Sequence, residues 1–122
     1  MKRDWNLVRE ILLRLEDQES SQEFVRAHTF VGHSPELVSY QISLLIDAGL
    51  VEGNCATYLN APKECWAQSL TWEGHEFLDG IRSETVWNSV KTLLKGKGID
   101  LTIDSIKAGV AIVVKSVLSG GT

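Results

Sequence analysis

Apolar residues recur along this chain at intervals of three and four in several stretches, and at shorter, alternating intervals in the middle. Trp5, Leu7, Val8, Ile11, Leu12, Leu13 and Leu15 mark the broad apolar face of a first helix. Asp4, just before them, can accept from the amides that a helix start leaves unpaired. The polar run 17–22 ends that pattern and reads as a loop. Between residues 23 and 31, Phe24, Val25, Phe30 and Val31 are too few to separate a strand from a short helix, and both readings stand. Ser34-Pro35-Glu36 is a helix start, with serine as cap and proline in the first turn. Leu37, Val38, Ile42, Leu45 and Ile46 then give the buried face of a second helix over 35–48, and Gly49 is suited to its left-handed stop.

Residues 51–59 and 64–71 alternate in part and flank Asn60-Ala61-Pro62-Lys63, a turn-rich tetrapeptide, so they predict a β-hairpin. Thr71 caps a further helix with Trp72, Phe77, Leu78 and Ile81, and Ser83 caps its continuation through Trp87, Val90 and Leu94. Gly96-Lys97-Gly98 interrupts the pattern and reads as a linker. Beyond it Ile103, Ile106, Val110, Val113 and Val117 recur every three or four residues, a heptad-like seam, with Ser119-Gly120-Gly121 as its stop. The β-branched content leaves a strand over 111–114 as the competing reading to a helix.

Composition changes this picture little. With 122 residues, 43% hydrophobic and 23% charged, the chain can build one core without a metal or disulfide staple. Its net charge of −4 has the wrong sign for coating nucleic acid by charge alone. Residues 1–50 carry five basic and eight acidic groups, 51–95 four and six, and 96–122 three and two, so only the tail is slightly basic. Met1-Lys2-Arg3-Asp4 leads straight into the amphipathic pattern without a signal-type apolar run, which predicts a cytoplasmic protein. The uncharged run 108–114, closed by Lys107 and Lys115, is too short to span a membrane.

The candidate chemistry is sparse. In a cytoplasmic setting Cys55 and Cys65 read as free thiols. A four-residue hairpin loop would set Leu59 against Glu64 and Cys55 against Gln68, with the two sulfurs apart. Cys55, Cys65 and His75 lack the close ligand pairs of a zinc site, so neither a metal nor a cofactor is expected. No nucleophile–base pair, carboxylate pair or phosphate loop can be read, and no catalytic residue is assigned. His75 between Glu73 and Glu76 fits the acid-rich first turn of a helix. Trp5, Trp72 and Trp87 fall at core spacings; Tyr58 and Trp66 read as cross-strand packing or as partner contacts.

The run Tyr-Gln-Ile-Ser-Leu-Leu-Ile-Asp-Ala-Gly-Leu-Val at 40–51 resembles the end of the recognition helix and the entry to the wing of bacterial winged-helix regulators. Three further blocks narrow the likeness: Lys2-Arg3-Asp4 with 7–13, the run 70–79 beginning Leu-Thr-Trp-Glu-Gly-His, and Ile81-Arg82 with Thr85-Val86-Trp87. Together, over about residues 2–95, they are similar to domain-of-unknown-function family 2513 of bacteria and their prophages. That resemblance implies a setting of phages or mobile elements and brings no activity with it. The expected fold is α+β and mostly helical: a winged helix-turn-helix domain over 1–95 with a small β-hairpin wing, a linker at 96–98, and a C-terminal helix over 99–122.

Two functions follow. As a DNA-binding transcriptional regulator, the protein would place its second helix in the major groove, with lysines and arginines holding phosphates. The residues set toward DNA or a partner are His33, Glu36, Ser39, Tyr40, Gln41 and Ser43, with Arg26 and Lys63 nearby. That helix carries no lysine or arginine, while Glu36 and Asp47 repel phosphate. The other function is a non-enzymatic protein-binding module, such as a phage-encoded inhibitor of a host defence or nucleic-acid-processing complex, where acidic faces imitate nucleic acid. The seam Ile103, Ile106, Val110, Val113 and Val117 predicts either homodimerisation or packing on the chain's own domain.

Overall fold

Asp4 opens the first helix as expected: its carboxylate accepts from the Leu7 N–H at 3.1 Å, and α1 runs Trp5–Glu16 with Leu7, Val8, Ile11, Leu12 and Leu15 buried. The structure, a computed structural model, describes residues 1–20 and 22–120. Residue 21 in the expected loop 17–22 and residue 121 in the expected stop of the last helix lie outside it, as does residue 122. The ambiguous stretch holds both of its readings in succession, strand β1 (Val25–Arg26) and one turn of 3-10 helix (Ala27–Thr29).

α2 spans Pro35–Asp47. Ser34 Oγ accepts from the Leu37 N–H at 3.2 Å, and Pro35 fills the first turn. At its end Gly49 (φ 77°) turns left-handed, which brings the Gly49 N–H to the Ile46 carbonyl and the Leu50 N–H to that of Leu45. Leu50 is thereby drawn into the core, and β2 (Val51–Tyr58) starts at once. β2 pairs antiparallel with β3 (Ala61–Leu70), which also pairs with β1, giving the order β1-β3-β2.

The hairpin departs from the expected register. The connection is Leu59-Asn60, with Asn60 left-handed at φ 65°, and not the tetrapeptide 60–63. β3 carries one extra residue at each of two bulges, at Gln68 and within Pro62-Lys63, where a proline lacking an N–H costs no ladder bond. Cys55 therefore faces Cys65 and not Gln68, and the two form a disulfide with Cα atoms 4.0 Å apart. The expectation of free thiols is corrected accordingly, because alternation alone cannot place a bulge.

α3 (Trp72–Ile81) starts where Thr71 Oγ1 accepts from the Gly74 N–H at 3.0 Å and donates to the Gly49 carbonyl at 2.6 Å. α4 (Glu84–Gly96) is capped by Ser83, and α5 runs Ile103–Leu118, so residues 111–114 are helical. Gly96-Lys97-Gly98 forms the stop of α4, with the Gly98 N–H on the Lys95 carbonyl and the Ile99 N–H on that of Leu94. α5 opens on a reciprocal cap between Thr102 and Ser105, at 2.8 and 3.0 Å.

By packing the chain forms two compact units, Met1–Glu76 and Phe77–Thr122. In the first, α1 and α2 pack on each other and on β3, around Ile11, Leu12, Val38, Ile42, Cys65 and Ala67. In the second, Trp87, Val90 and Leu94 of α4 pack with Ile106 and Gly109 of α5. Among the described residues the architecture is α+β: five helices and one three-stranded antiparallel sheet. No helix among them is long and apolar enough to cross a membrane. Trp72 does not join the core but is 75% exposed. At 100° per residue it stands about 140° from Phe77 and about 180° from Ile81, on the far side of the helix from the buried stripe.

Candidate interaction site

The N-terminal half of α2 and the tip of the hairpin flank two clefts that four of the eight expected site residues line. One, of about 320 Å³, is lined among others by His28, Glu36, Ser39, Pro62, Lys63 and Glu64. A neighbouring one of about 150 Å³ shares Glu36, Ser39, Pro62 and Lys63 and adds Met1 and Tyr40. Glu36, Ser39, Tyr40 and Lys63 are thus brought together. His33, Ser43 and Arg26 line neither cleft.

Two side chains expected on the outer face of α2 are internal. Gln41 is fully buried: its Oε1 accepts from the Asp4 N–H at 2.8 Å, and its Nε2 donates to the Lys2 carbonyl at 2.9 Å. A single amide so pins the entry of α1 to α2, satisfying two backbone groups that would otherwise be orphaned. Ser39, 4% exposed, accepts from the Cys65 N–H at 3.0 Å. Their expected exposure is corrected, and the signal was in the sequence: Gln41 lies three residues after Val38 and four before Leu45, inside the apolar stripe. Ser43 donates to the Tyr40 carbonyl at 2.7 Å, and Glu36 and Lys63 are exposed.

Arg3, Arg14 and Arg26 of this unit lean on aromatic rings. Arg26 lies 5.6 Å from the centroids of both Phe24 and Trp66, and Arg3 5.1 Å from that of Trp5. Arg14 stacks 3.7 Å from the Phe30 centroid and donates to the Thr29 carbonyl and Oγ1 at 3.1 and 2.8 Å. Guanidinium groups held over rings are less available to phosphates than extended ones. Trp66 faces Arg26 and Asn54 across the sheet, and Tyr58, 50% exposed, donates to Glu64 Oε2 at 3.3 Å across the hairpin. Among the described residues no group of three or more His, Cys, Asp or Glu is placed to hold a metal ion.

Of the seam residues on α5, Ile106 is fully buried within its own unit, and Ile103, Val110 and Val113 are half-buried. Val117 is 69% exposed, beside Ile112 at 54% and Leu118 at 80%. Residues of α4 and α5 line a groove of about 860 Å³ there, among them Leu93, Ile112, Val113 and Val117.

Comparison with known proteins places these elements in a family. No solved structure matches the chain. An uncharacterized protein of Haemophilus influenzae is 44% identical to it over 119 residues, covering 98% of this chain and the whole of that protein. The family model described as hypothetical protein (DUF2513) matches residues 2–100, from the entry to α1 through α4. The chain belongs to the DUF2513 family.

Proposed function

We propose that this protein is a non-enzymatic protein-binding module on a winged-helix scaffold, engaging its partner through the outer side of α2 and the hairpin tip. The scaffold reading rests on the order α1, α2, β2–β3 hairpin, with α2 in the position of a reading helix and the hairpin in that of a wing. The observation that carries the function is charge. Within Met1–Glu76 six basic side chains stand against twelve acidic ones, a balance of −6. α2 has no basic residue, and the two polar side chains that would meet base edges serve the interior. Such a surface suits a partner with a basic face, including one that ordinarily holds nucleic acid.

A DNA-binding transcriptional regulator of a phage or prophage is the second reading. It is favoured by Lys63 and Met1, which line the clefts at α2, and by Lys2, whose carbonyl is bound to Gln41. Fluorescence anisotropy with a labelled random duplex at low salt, where phosphate attraction is strongest, separates the two. The protein-binding reading expects no rise. A rise that collapses with added salt replaces it with the DNA reading. For α5 the partner proposed is a second copy of this chain, seated on the exposed Ile112, Val117 and Leu118.

A further inference from the structure

Cys55 and Cys65 occupy a position of the β2–β3 ladder where neither residue bonds to the other through its backbone N–H. The Cys55 N–H donates to Asn54 Oδ1 at 2.9 Å, and the Cys65 N–H to Ser39 Oγ at 3.0 Å. Facing side chains come closest at such positions, which is why these two sulfurs meet without moving the strands. The partners differ in access. β2 is an edge strand and Cys55 is half-buried, whereas Cys65, on the central strand, is fully buried beneath α2.

The fold has little need of the bond. Cys55 and Cys65 are ten residues apart, and the ladder already pairs residues on both sides of them, so the cross-link closes almost no additional loop. When reduced, a buried cysteine behaves as a small apolar side chain and leaves no unpaired charge in the core. The bond does fix β2 to β3 beside the Pro62-Lys63 bulge, and through the Cys65 amide it adjoins Ser39 in the cleft.

We propose that Cys55–Cys65 is a reversible thiol–disulfide exchange site whose substrate is a dithiol reductant, entered at Cys55. A thiolate of the reductant bonds to Cys55 Sγ; the Cys55–Cys65 bond breaks, and its electron pair leaves on Cys65 Sγ, which takes up a proton. The reductant's second thiolate then attacks its own sulfur in the mixed disulfide and releases Cys55 as a thiolate, which is protonated in turn. Two electrons and two protons pass to the protein, and the dithiol is oxidised to its disulfide. The reverse sequence restores the bond.

The test uses the full chain equilibrated in air, with and without dithiothreitol in native buffer. Samples are quenched in acid and alkylated in denaturant, then read by intact mass. No alkylated cysteine is expected before reduction and two after it, with the far-ultraviolet circular dichroism unchanged throughout. Glutathione, a monothiol, supplies the second arm, and peptide mapping of the trapped adduct should place it on Cys55. The double variant Cys55→Ala/Cys65→Ala should keep the same helical signal. Thiols already present in the air-equilibrated protein, reduction that requires denaturant, an adduct on Cys65, or loss of helix in the reduced protein or the variant would each overturn the proposal.

Discussion

Gln41 shows how one side chain can be misplaced by its polarity. An exposed glutamine on a helix reads as a hydrogen-bonding tool for a partner, yet here both ends of the amide serve the chain's own backbone at Asp4 and Lys2. Gln41→Ala removes the partner of the Asp4 N–H and of the Lys2 carbonyl, both part-buried bonds, and opens a void at a fully buried position, so a loss of about 2–4 kcal/mol is expected in urea unfolding. An unchanged midpoint would mean the amide does not anchor α1. Gly74 is the opposite case, a residue that matters through what it lacks. A methyl there would meet the Leu50 carbonyl oxygen, where α3 begins against the end of α2. Gly74→Ala should destabilise by about 1–3 kcal/mol, seen as a lower thermal midpoint. Neither position announces itself by composition; Gln41 could be found by its helical phase, while Gly74 needs a neighbour from another element.

At the scale of elements, helix starts were legible because they are written in local chemistry. Asp4, Ser34, Thr71 and Ser83 each accept from an amide three residues on, within the same short segment. The start of α5 went unread although its cap is equally local, because Thr102 follows an irregular stretch and its reciprocal partner is Ser105 and not an acid or amide side chain. Thr102→Ala should cost about 1 kcal/mol and lower the helical signal of the second unit on heating. A melt superimposable on the parent would show that packing on α4 alone holds α5. The hairpin was legible as a hairpin but not in its register. Two bulges and a left-handed Asn60 decide which residues face each other, and each moves the pairing by a residue without altering the alternation that a sequence displays.

For the whole molecule, charge separates what composition averages. The net −4 divides into −6 over Met1–Glu76 and +2 over Phe77–Thr122, where six basic side chains stand against four acidic ones. That division moves the weight from nucleic acid toward a basic partner for the first unit. Assembly is tested separately: light scattering of the full chain should report a dimer, and Ile112→Glu/Val117→Glu should return it to a monomer with helicity retained. A parent that is monomeric at micromolar concentration removes the second copy as the occupant of α5.

The sequence alone determined the first four helices with their caps at Asp4, Ser34, Thr71 and Ser83, the hairpin's existence and the family, because helix periodicity, capping and motif order are properties of contiguous residues. Only the tertiary structure decided that Gln41 and Ser39 point inward, that Trp72 points outward, that Cys55 meets Cys65, and that the buried half of the α5 seam packs on α4. These depend on helical phase against a particular neighbour and on strand register across a bulge. Both are set by the partner element, and a single segment does not contain its partner.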